Sequence, residues 1–207
     1  MGSQTRAIIT VNSESLPTRR RYSLAHELGH WHYHKGRVLY CGPGDVEAPA
    51  KDAVNPERQA DDFASDLILP NYLFRPIALK LTRPNLASVR EIAGEFQASL
   101  TATYLKLVAT DLFPLITVCH GPSGRRWFRS APSLPGWWFP RPDLDPDSFA
   151  FDMVFKDAAE KSYPSKIGAG AWFEFRNCDR FEIQEQSFRL PNREVLTVLT
   201  LPAEAIQ

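Results

Sequence analysis

The segment His26-Glu27-Leu28-Gly29-His30 constrains this chain more than any other. It lies inside Arg19 to Lys35, which reads as one continuous helix. Residues four apart on a helix sit one turn above each other on a single face. Two imidazoles so placed can hold one metal ion, and the glutamate between them can reach a water on that ion. Tetrahedral catalytic zinc takes three protein ligands and one water, so the motif needs a third ligand from elsewhere in the fold.

The next strongly signalled helix offers one. Asn55 is a good N-cap and Pro56 suits the first helical position. Ala60, Phe63, Ala64, Leu67 and Ile68 follow on one face, and Pro70 stops the helix. A carboxylate in the first turn, such as Glu57, ordinarily complements the helix dipole. Here Glu57 and Asp61 also share a face. Glu57 can bind the metal while Asp61 accepts a hydrogen bond from the second ring nitrogen of His26 or His30.

One helix with HExxH and another with ExxxD resembles the gluzincin metallopeptidases. The flanks narrow the likeness. Arg19-Arg20-Arg21-Tyr22-Ser23-Leu24-Ala25 ahead of the motif, and the run from Glu57 to Pro70, resemble the ImmA/IrrE family, as does a helix-turn-helix-like segment from Ile92-Ala93 to Leu107. The resemblance covers residues 7–110. It implies an α+β fold with a zincin-like core, His26, His30 and Glu57 as metal ligands, and Glu27 as general base. It implies Zn²⁺ as cofactor, although Mn²⁺ or Fe²⁺ can occupy a His₂Glu site. Its members are cytoplasmic proteases that inactivate repressor-type, helix-turn-helix transcription factors in mobile-element induction or stress responses, so the implied partner is a repressor-like DNA-binding protein. This chain departs from the family in having only six residues before Ala7 and in placing Tyr104 where an arginine is common. No residue motif carries the family's GAF-like sensor over to the C-terminal half.

Composition excludes several other functions. Lys+Arg and Asp+Glu are 24 each, so the net charge is zero, which argues against direct nucleic-acid binding or capture by an anionic membrane. The short run Arg19-Arg20-Arg21 reads as a solvated first helical turn. Three widely spaced cysteines, Cys41, Cys119 and Cys178, form no disulfide framework and read as plain thiols suited to a reducing cytoplasm. No stretch approaches the roughly 20 apolar residues of a membrane helix, and the N-terminus lacks the apolar core of a signal peptide.

The chain divides into a zincin-like metallopeptidase segment (1–82), a helix-turn-helix-like helical segment (83–112) and a β-rich α+β module (113–207) of sensory or regulatory character. Ala7–Val11 reads as a strand, with Thr18 capping the motif helix and Gly36 ending it; 40–54 reads as loop. Helices are expected over 72–81, 86–96, 100–109 and 148–161. Leu115–His120 and Arg125–Ser130 read as a hairpin, with further strands at 171–176, 180–188 and 194–201. The Pro- and Trp-rich stretch 132–146 reads as a loop pinned over the β module. Tyr72, Tyr104 and His120 are oxyanion candidates, although each also reads as a packing or surface residue. His34 reads as an outer or structural residue and His32 as a surface one. Two further functions compete with the peptidase: a zincin-like module that sequesters a DNA-binding partner without cutting it, and a transcription factor using the helix pair directly.

Overall fold

The structure, a computed structural model, describes residues 5–35, 55–156, 158 and 160–206. The expected helix stop at Gly36, the 40–54 loop and Cys41 lie outside the described residues. The described residues up to Ile77, with Glu91–Ala102, form one compact unit; Ala78–Arg90, with those from Thr103 onward, form a second. Together they make a mixed α+β fold of helices and one antiparallel sheet. Among the described residues no helix is long and apolar enough to cross a membrane.

The first unit is helical. α1 (Pro17–Tyr33) begins two residues before the sequence suggests, because Pro17 occupies the first turn and no side chain caps it; Thr18 is already inside the helix. α2 (Pro56–Ile68) starts as expected, with the Asn55 side chain accepting from the Glu57 N–H at 2.9 Å. Its buried face is Ala60, Ala64 and Ile68, while Leu67, expected inside, is 53% exposed. α3 (Asn71–Ala78) ends short of Leu81 and carries Pro76 inside. Ala7 makes only an isolated bridge, and Ile8 is largely exposed. The expected strand 7–11 therefore forms no ladder among the described residues.

α4 (Leu86–Phe96) and α5 (Leu100–Ala109) fall where periodicity places them. Asn85 caps α4 through the N–H groups of Ala87 and Ser88. The helix ends in a left-handed residue, Gln97 at φ 51°, with Ala98 N–H bonded to Ala93 O and Gln97 N–H to Gly94 O. This is the Schellman pattern, with glutamine where glycine is usual. The Arg21 side chain, exposed as expected, also donates to the carbonyls of Phe96 and Gln97 at the end of α4.

The second unit is built on a five-stranded antiparallel sheet of order β2-β1-β5-β4-β3, from β1 (Leu115–Gly121), β2 (Gly124–Ser130), β3 (Ser165–Gly168), β4 (Glu182–Arg189) and β5 (Val195–Thr200). Every residue of β1 is buried, so both faces of the sheet are covered there. One face packs Ile116, Val118, Ile183 and Leu199 against Trp138, Trp172 and Phe173. On the other, Phe188 stacks on Tyr104 of α5 with ring centroids 5.9 Å apart. The 132–146 loop is pinned by Trp138, which meets the rings of Phe173, Phe175 and Phe181 edge-on. α6 (Phe149–Phe155) is shorter than expected, and the expected strand 171–176 does not form. Trp172 and Phe173 both enter the same core cluster, whereas adjacent residues of a strand point to opposite faces; a 3₁₀ turn at Ala169–Ala171 feeds both rings inward. β3 is a short edge strand that the polar sequence Ser-Lys-Ile-Gly does not announce.

Candidate metal centre

The helical unit brings His26, His30 and Glu57 to one point. His26 and His30 lie one turn apart on α1, and Glu57 enters from the first turn of α2. The two Nε2 atoms are 3.0 Å apart. The Glu57 carboxylate oxygens lie 3.2 Å from His26 Nε2 and 3.3 Å from His30 Nε2. Ligand atoms on a tetrahedral zinc, at about 2.1 Å from the metal, stand about 3.4 Å from one another. The three donors therefore already stand at nearly the spacing a bound ion requires.

The donor chemistry agrees. Nδ1 of His26 sits 2.9 Å from Oδ1 of Asp61. A carboxylate only accepts, so Nδ1 carries a proton, and in the neutral ring Nε2 is a lone pair facing the Glu57 carboxylate. Lone pairs aimed at one another at this distance repel unless a proton or a cation sits between them. The Asp61 hydrogen bond, and after it the neighbouring negative charges, raise the His26 pKa against the opposing effect of burial. A metal entering the site displaces the same proton that these carboxylates favour.

The packing that holds the two helices together is made of small residues. A side chain at Gly29 would place its Cβ 3.0 Å from Ala60 Cα, 3.2 Å from Ala60 O and 3.2 Å from Phe63 Cβ. Gly29 thus lets α2 approach α1 backbone to backbone, as its place inside the motif suggests. Ala25 and Ala64 complete the stripe. Without this approach Glu57 would not reach the two imidazoles.

Around the triad, Tyr22 donates its hydroxyl to Asp61 Oδ1 at 2.7 Å. Burial foremost, then the Asp61 charge, raise its pKa above the ordinary phenol value, so it remains a donor. Sequence reasoning overlooked this residue, although its position four before His26 places it on the same face. His34, the third step of the ladder, is buried and turns Nε2 to Gln59 Oε1 at 3.0 Å. His32 is exposed and stacks on Phe63. Glu27 is half-buried on α1, beside the triad in sequence.

The oxyanion candidates separate. Tyr72 is 77% exposed on α3. Tyr104 and His120 are buried packing residues of the sheet unit, against Phe188 and Trp172 respectively. Cys119 and Cys178 are buried free thiols, and burial, with the Glu194 charge, pushes Cys119 up to about 12, so it stays protonated. Neither joins a metal-ligand cluster among the described residues.

No curated protein matches the chain. Residues 2–108, just over half of its length and including both metal-site helices, match the family model Peptidase M78, the IrrE N-terminal-like domain. The chain therefore belongs to the Peptidase M78 family of metallopeptidases.

Proposed function

We propose that this protein is a zinc-dependent endopeptidase that hydrolyses a peptide bond in a repressor-type, helix-turn-helix transcription factor in the cytoplasm. The meeting of His26 Nε2, His30 Nε2 and the Glu57 carboxylate at 3.0–3.3 Å carries the catalytic part of this reading. Family membership supports a protein substrate, and the helix-turn-helix repressor follows from the resemblance of both motif helices to repressor-inactivating proteases. The two buried thiols suit a reducing compartment. In this reading, residues 1–82 are the metallopeptidase segment, 83–112 a docking segment, and 113–207 a regulatory or sensory module.

His26, His30 and Glu57 would hold the metal. Two imidazoles and one carboxylate suit Zn²⁺, with Mn²⁺ or Fe²⁺ able to occupy the same donors. When bound, such an ion polarises a scissile carbonyl and lowers the pKa of water towards about 7. Glu27 takes a proton from the attacking water and passes it to the leaving amine. Asp61 keeps the His26 proton on Nδ1, which leaves Nε2 available as a ligand.

The test is co-incubation of the zinc-loaded protein with the repressor-like product of a neighbouring gene. Cleavage should appear, stop with chelator and return with Zn²⁺. Glu27→Gln should retain zinc but cut roughly 10²–10⁴-fold more slowly, the usual range for loss of a general base. A Glu27→Gln variant that cuts at the wild-type rate would refute the mechanism. Tight binding of the repressor without cleavage would favour the sequestering module instead.

A further inference from the structure

We propose that Tyr22 is a positioning residue for the metal centre: by donating to the Asp61 oxygen that accepts His26 Nδ1–H, it locks His26 in the tautomer that leaves Nε2 as a ligand. The inference rests on reading His26 as a metal ligand. Tyr22 and His26 are one helical turn apart, and both reach the same oxygen, at 2.7 Å and 2.9 Å. That oxygen therefore accepts two hydrogen bonds from one face of α1, which fixes it in place.

Asp61 needs such a partner because its side chain is 42% exposed, against 16% for His26. A carboxylate that accessible exchanges protein contacts for water, and a rotating acceptor does not hold an imidazole in one tautomer. The phenol is itself held. Its ring lies beneath the Arg19 guanidinium at 5.9 Å and beside the His26 ring at 6.3 Å. A phenylalanine here would fill the same volume and make the same ring contacts, but would leave Asp61 with one fewer donor. The hydroxyl is thus assigned a task that packing alone does not require.

Tyr22→Phe isolates that hydroxyl, and two readouts test it. In the metal-free protein, long-range ¹H–¹⁵N NMR of the imidazoles should show His26 as the Nδ1–H tautomer in the wild type and as a tautomer mixture in the variant. A mere tie between α1 and α2 would change stability and leave the tautomer alone. Zinc affinity by competition with a chromogenic chelator should fall about threefold to tenfold, less than the roughly 10–100-fold lost with a direct outer partner of a ligand histidine, because Tyr22 acts through Asp61. In an Asp61→Ala background the same substitution should change affinity by less than about twofold, because the oxygen that links the two side chains is gone. Unchanged tautomer and unchanged affinity in Tyr22→Phe would overturn the proposal. If the wild type binds no zinc, the metallopeptidase reading fails, and the tautomer measurement still judges Tyr22.

Discussion

Replacing Gly29 by alanine sets two physical effects against each other, and the structure says which wins. Alanine is favoured over glycine inside a helix by about 1 kcal/mol. Against this, the new methyl would stand 3.0 Å from the Cα of Ala60 and 3.2 Å from its carbonyl oxygen. Carbon atoms prefer about 3.5–4.0 Å, so α2 must retreat by about 0.5 Å, and backbone cannot rotate out of the way as a side chain would. Overpacking of this kind costs about 1–3 kcal/mol, leaving the metal-free variant less stable by about 1 kcal/mol after the helix gain. The larger effect falls on the metal. Glu57 rides on α2, and functional constellations tolerate displacements of only about 0.5 Å. Zinc affinity should therefore drop about tenfold or more, a loss comparable to that of an outer ligand partner. Urea unfolding of the metal-free and zinc-saturated proteins reads both quantities, since a ligand that binds only the folded state stabilises it in proportion to its affinity. A Gly29→Ala protein that gains about 1 kcal/mol and binds zinc as tightly as the wild type would show that the helices do not depend on this contact.

Two further predictions concern the sheet unit. His120 is 1% exposed in β1, and burial foremost lowers its pKa to about 4 from an ordinary 6.5, outweighing the backbone of Arg141 and Pro142 nearby. The unfolded chain then binds the proton more readily between those values, so stability rises with pH across this window and is lost on acidification. From pH 7 to 4 the wild type should lose about 3 kcal/mol more than His120→Leu, a difference read by urea unfolding at each pH; parallel profiles would refute the assignment. Glu185, also buried, accepts from Ala150 N–H and the Ser187 hydroxyl on Oε1 and from Trp172 Nε1–H on Oε2. An amide has only one accepting oxygen, so Glu185→Gln sets its NH₂ against the indole donor. The expected cost is about 1–3 kcal/mol with a shift in tryptophan fluorescence, and an unperturbed indole would count against the bond.

The ladder His26–His30–His34, the Asn55-Pro56 start of α2 and both helices of the 86–109 segment were legible in the sequence, because helical periodicity and capping act within a few residues. Asp61 was legible as an acceptor, but which histidine it serves was not. Tyr22 went unnoticed because its partner lies 39 residues away in the chain. In the sheet unit, strands β1, β2, β4 and β5 follow the apolar pattern, while 171–176 misled because two adjacent aromatics turn to the same core. Glu185 and Ser187 gave no warning of being interior residues; only the hydrogen-bond donors gathered around them make burial tolerable. The sequence by itself thus determined that two imidazoles share a helix face and that a carboxylate opens the next helix. Only the tertiary structure decided that they meet, because that depends on how closely two backbones approach, and the approach is set by the missing side chain of Gly29 against the small one of Ala60.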